Sequence, residues 1–141
     1  MFQFQYFKIP KTLSRRYCQS ALRALEAVVK KPQQWVINLI VIDSEEMAIM
    51  NEKFRGKTGP TDILTFSYYS PQLTSSDTAG EIYLCLEKIK LYAEEAGKTY
   101  KEQLEYIVIH GLTHLMGYDH ESEKDWQEME KVEKKIQWLL K

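Results

Sequence analysis

All three histidines of the 141-residue chain fall in one run, His110-Gly-Leu-Thr-His114-Leu-Met-Gly-Tyr-Asp-His120. Residues four apart on an α-helix stand roughly 6 Å apart along the axis and about 40° apart around it, so a helix here aims His110 and His114 at one ion. Gly117 follows three residues on, where a left-handed glycine ends a helix and turns the chain back, swinging His120 round as a third ligand. Three imidazoles around Zn2+ at about 2.0–2.1 Å leave a fourth position for water or substrate, as in catalytic sites, whereas structural zinc usually closes with four ligands that include cysteine. Imidazole also suits Ni2+, Cu2+ and Fe2+, so another divalent metal remains open, with Zn2+ the first choice.

This spacing equals that of the metzincin proteases, in which a glutamate after the first histidine is the general base that deprotonates the metal's water. Here that position is Gly111, which cannot take a proton. The metal must then lower the pKa of water from 15.7 toward about 7 by itself, or a base must come from elsewhere, an arrangement that phosphodiester cleavage tolerates.

Upstream, Lys53, Arg55 and Lys57 form a local basic patch beside Gly56 and Gly59, within the otherwise acidic part of the chain. Arg55 can offer a planar fork to a phosphate or to charge developing on phosphorus, and Lys57 a mobile point charge. On charge alone the patch reads as a solvated turn. Tyr68 and Tyr69 can stack on unpaired bases or simply pack. Asp119 can orient an imidazole from behind or cap the turn, and Asp62 can serve only its loop.

The run from His110 to His120 resembles the H-G-x-x-H-L-x-G-Y-D-H signature of the YbeY family of bacterial metal-dependent endoribonucleases, at each of its fixed positions. The resemblance continues in the stretch from Asn51 to Phe66, similar to the family's R-G-x-x-x-P-T-D-V-L-S-F segment, and in Gly80-Glu81-Ile82. Ser67 departs from the family where a proline usually follows, and Ile109 where a histidine often precedes the motif; neither removes a ligand. The resemblance implies an α+β fold, a zinc-like metal on His110, His114 and His120, and single-strand-specific RNA cleavage. It further implies maturation of the 3′ end of small-subunit (16S) rRNA, a part in ribosome quality control, and a functional Arg55.

The elements that must position these residues are legible in the hydrophobic pattern. Phe2, Phe4 and Tyr6 alternate as in a strand closed by Pro10; the apolar positions from Ser14 to Lys30 recur at three and four, as in a helix; and 35–42 is β-branched and strand-like. Asp43 with Glu46 opens a helix over 45–54, 63–68 and 81–86 read as strands, and 71–80 as a polar loop. A helix over 87–96 stops at Gly97, Thr99 with Glu102 opens one toward Met116, and Ser122 with Asp125 opens a last one. In that last helix Trp126, Met129, Val132, Ile136 and Leu139 are expected to face inward, and the methionines and tryptophans generally to fill the core. The expectation is an α+β fold in one domain over 1–141, with a four-stranded mixed sheet, about five helices and a zincin-like metal-site helix.

A composition of 44% hydrophobic and 28% charged residues fits a folded globular protein and excludes a disordered chain. The longest apolar run falls far short of the ~20 residues that cross a bilayer, and the N-terminus lacks the pattern of a secretory signal. Cys18 and Cys85 read as reduced packing residues, and the expected location is the cytoplasm. The net charge of −1 hides a basic end: 1–31 hold seven Lys and Arg against Glu26 alone, for +6, leaving −7 on the rest. Such a balance argues against bulk coating of nucleic acid, and no DNA or membrane partner is expected. What the resemblance implies, together with the histidine spacing, makes the expected function a zinc-dependent endoribonuclease acting on single-stranded RNA, with small-subunit rRNA and the ribosome or its small subunit as partners. The rivals are a zinc metallopeptidase-like hydrolase and a non-catalytic ribosome-associated protein with a structural metal.

Overall fold

The computed structural model describes residues 3–29, 36–68, 78–118 and 121–140. Among these residues nine elements follow one another: β1 (Gln3–Phe7), α1 (Arg15–Val29), β2 (Val36–Val41), α2 (Ser44–Arg55), β3 (Ile63–Ser67), β4 (Thr78–Leu84), α3 (Leu86–Ala96), α4 (Tyr100–Leu115) and α5 (Glu123–Leu139). The strands form one mixed sheet in the order β1-β2-β4-β3. β2 lies parallel to both β1 and β4, while β3 pairs antiparallel with β4 and borders the sheet.

The side-chain period of two divides the sheet. Ile37, Leu39, Ile82 and Leu84 face the main core, where Leu22 and Leu25 of α1, Leu112 and Leu115 of α4 and Ile136 of α5 meet them. On the opposite face α2 seats Met47 against Ile42, Leu64 and Cys85. α4 is thus buried along most of its length, which fixes the histidines it carries.

Local chemistry sets the helix ends. Asp43 accepts the Glu46 amide at 2.8 Å, Thr99 and Glu102 exchange both bonds of a capping box, and Ser122 accepts the Asp125 amide at 3.1 Å. Gly97 ends α3 in the left-handed region at φ 68°.

Two expectations are corrected. The polar stretch read as loop to Gly80 is already strand from Thr78, because Gly80 pairs with both Ile37 and Ser67, and two neighbours outweigh its weak strand propensity. On α5 only Met129, Val132 and Ile136 of the five expected inward residues are buried; Trp126 and Leu139 are 51% and 46% exposed, and Trp138 also faces out. The stripe that meets the core is narrower than the apolar spacing suggested, so these tryptophans are not core fillers. Phe2, Lys30, Trp35, Tyr69 and 71–77 lie outside the described residues. Among the described residues no helix is long and apolar enough to cross a membrane, and Cys18 and Cys85 are buried free thiols.

Candidate active site

His110 and His114 lie one turn apart near the C-terminal end of α4, with their Nε2 atoms 3.2 Å apart and their rings at 89°. Two nitrogens bound at about 2.0–2.1 Å to one tetrahedral ion stand about 3.3–3.4 Å apart, so this pair has the donor type and separation that zinc asks of two ligands. Tyr106, a turn earlier, lies nearly parallel to the His110 ring with centroids 5.6 Å apart. Beyond His114 the helix closes on Met116, and Gly117, at φ 93°, donates to the His114 carbonyl at 3.0 Å. The chain turns there as a glycine allows. His120 and Asp119 lie outside the described residues, and among the described residues no group of three His, Cys, Asp or Glu could hold a metal ion.

The facing wall comes from β3 and the segment before it. A cleft of about 380 Å³ is lined by His110, Gly111 and His114 on one side and by Arg55, Lys57, Thr61 and Thr65 among others on the other. Arg55, the last residue of α2, donates from Nη2 to the Thr65 carbonyl at 2.9 Å. Gly56 ends α2 at φ 65°, and the buried Asn51 donates from Nδ2 to the Gly59 carbonyl at 2.8 Å, tying the loop that carries Lys57 back to the helix. The structure therefore brings Arg55 and Lys57 to the histidine cleft. Lys53 is not part of that wall; its ammonium stands 5.3 Å from the Phe54 ring.

Asp62 is partly buried at the start of β3. Burial pushes its carboxyl above the ordinary carboxylate range, against the opposing pull of the Thr61 hydroxyl at 3.2 Å and of nearby His110. Tyr68 is half exposed and donates to Glu81 at 2.7 Å; that carboxylate pushes its phenol up to about 12. Gly111 lets the α4 backbone lie directly against the side chains of β3: a Cβ there would meet Ile63 Cδ1 at 2.6 Å.

Two residues were not singled out by the sequence reading. Glu133 of α5 places Oε1 2.9 Å from His110 Nδ1, and Asn51 clamps the loop. A signal existed for Glu133: it falls four after Met129 and three before Ile136, an acid on the buried face of an amphipathic helix.

The family model described as Endoribonuclease YbeY matches residues 2–140. The Endoribonuclease YbeY of Thermodesulfovibrio yellowstonii is 35% identical over 135 residues, covering 95% of this chain and 85% of that one. That of Thermotoga maritima is 42% identical over 113 residues, covering 79% and 72%. The chain belongs to the YbeY endoribonuclease family. The solution structure of TM1509 from Thermotoga maritima superposes with a TM-score of 0.62 at 29% identity, covering 96% of this chain and 91% of that one. The likeness extends over the YbeY fold as a whole, five helices on a four-stranded mixed sheet, and is not confined to the histidine motif. An endoribonuclease acts on RNA by hydrolytic or transfer chemistry at phosphodiester bonds, the class in which a cleft with two imidazoles facing a guanidinium is at home.

Proposed function

We propose that this chain is a metal-dependent endoribonuclease that cuts single-stranded RNA, acting in one domain over 1–141. Its proposed role is maturation of the 3′ end of 16S rRNA and ribosome quality control, in the cytoplasm and in contact with the ribosome or its small subunit. The observation that carries the reading is the meeting, in one cleft, of the His110 and His114 Nε2 atoms with Arg55 and Lys57. His110, His114 and His120 are the residues that would hold the ion, Zn2+ by preference. Bound there, such an ion supplies Lewis acidity toward a phosphoryl oxygen and eases deprotonation of the attacking hydroxyl.

The remaining work falls to the chain. Arg55 spends one of its N–H groups on Thr65 and keeps the rest of its fork for a phosphate, and charge developing on phosphorus strengthens those bonds. Lys57 adds a second positive charge at the mouth. With Gly111 between the histidines, no carboxylate stands where a peptidase keeps its base, which disfavours the peptidase reading.

Elemental analysis of the purified protein, with cleavage assays on single-stranded and duplex RNA, tests the proposal. Metal-loaded wild type should cut the single strand. His114→Ala should lose metal and cleavage while still melting cooperatively, and Arg55→Ala should lose about 100- to 1000-fold in rate, as when a transition-state donor is removed. A 2′,3′-cyclic phosphate on the product identifies the ribose hydroxyl as nucleophile, a 5′-phosphate water. Intact RNA after incubation with the metal-loaded wild type would overturn the reading. Unfolding of His114→Ala would instead favour a structural metal.

A further inference from the structure

We propose that Glu133 is a positioning residue for the metal site: it acts through His110, holding the proton on Nδ1 and so keeping the Nε2 lone pair aimed toward His114. This rests on the metal-dependent reading above and assigns a residue of α5 to it. Three observations carry it. The Glu133 side chain is only 11% exposed, flanked on the inner face of α5 by Met129, Val132 and Ile136, and a carboxylate there is costly unless it has a strong partner. Its Oε1 stands 2.9 Å from His110 Nδ1. That contact is on the ring edge remote from His114, since it is Nε2 of His110 that lies 3.2 Å from His114 Nε2. Glu133 is therefore placed behind the imidazole and not among the atoms that would face an ion.

The chemistry follows from the imidazole's two nitrogens. An ionised carboxylate only accepts, so Nδ1 must carry the hydrogen, and in the neutral ring Nε2 is then left as the lone-pair donor. Without that acceptor the ring can place its proton on Nε2, in the position a metal must take. It also loses one of the contacts that fix its rotation about the side-chain bonds, beside Tyr106 stacked at 5.6 Å and the His114 ring at 4.6 Å. Carboxylates behind metal-binding histidines typically account for about 10- to 100-fold in metal affinity.

Two measurements test this. Long-range proton–nitrogen correlation on the metal-free wild type at pH 8 should show His110 with its proton on Nδ1. Titration of Zn2+ against a chromophoric chelator should show wild type binding tightest, Glu133→Gln about 10-fold weaker because its amide oxygen still accepts, and Glu133→Ala weaker again by up to about 10-fold. A proton on His110 Nε2 in the wild type would overturn the proposal without any variant. So would two variants that bind Zn2+ as tightly as wild type, whatever their melting temperatures, or a wild type that binds no divalent ion. If wild type binds Zn2+ with this graded loss yet leaves single-stranded RNA intact, the nuclease reading fails and the role of Glu133 stands.

Discussion

A Cβ at position 111 would stand 2.6 Å from Ile63 Cδ1 and 3.5 Å from Thr65 Cγ2, so α4 rests on β3 through bare backbone at the turn between the two histidines. Gly111→Ala sets displacement of the flexible Ile63 end carbon against about 1 kcal/mol of gained helix propensity, so urea denaturation should show a net change within about 1 kcal/mol. Gly111→Glu should lose the fold well before it gains peptidase activity on casein. A second residue-scale effect concerns Cys18, which is fully buried, and burial pushes its thiol from an ordinary 9.0 up to about 12. The unfolded chain then releases this proton near pH 9 while the folded chain keeps it, so stability is whole below pH 9 and falls as pH rises through that value. The loss reaches about 1 kcal/mol by pH 10. Melting temperatures from pH 8 to 10.5 should fall less steeply in Cys18→Ala than in wild type. At this scale the pairing of His110 with His114 was legible, because spacing on a helix dictates it. Glu133 was not singled out, although its spacing from Met129 and Ile136 puts it on the apolar face of α5, because its partner His110 is 23 residues away and only the packing brings the two together.

Helix α2 and the loop after it act together. Gly56 reverses the chain, its amide and that of Lys57 bond back to Glu52 and Asn51, and the Asn51 side chain takes up the Gly59 carbonyl. Asn51→Ala leaves that buried pairing unmade and should cost about 1–3 kcal/mol, with a raised KM for RNA as the loop bearing Lys57 loosens. Chemical denaturation and steady-state cleavage of a short single-stranded substrate read the two effects separately. Elements were legible where local chemistry decides them: the caps at Asp43, Thr99 and Ser122 and the stop at Gly97 fall where the sequence put them. The order β1-β2-β4-β3 was not, because no residue of β3 or β4 announces that the later strand slips between the earlier two. The start of β4 at Thr78 was missed for the same reason, since its pairing partners are remote in sequence.

Over the whole molecule, charge is divided: the basic surplus of 1–31 includes Arg23, engaged with Glu26 at 2.6 Å, and Arg15, whose guanidinium lies 4.9 Å from the Tyr6 ring, whereas Arg55 and Lys57 line the histidine cleft. Binding of single-stranded RNA should therefore depend on salt in proportion to few phosphates. Neutralising Arg55 and Lys57 together should flatten the slope of log affinity against log salt by about 1.4, that is, about 0.7 for each phosphate of a single strand that no longer meets a cation. An unchanged slope would place the phosphates elsewhere. The border position of β3 has a further consequence for guests. Outward carbonyls on a border strand are docking points where a foreign polypeptide lays down its own main chain. Thr65 offers such a point beside the histidines, but the Arg55 guanidinium already sits on it. A visiting peptide must evict a cation to gain that first rung, whereas a polyanion finds the same cation waiting, so one contact sorts protein from nucleic acid at the threshold.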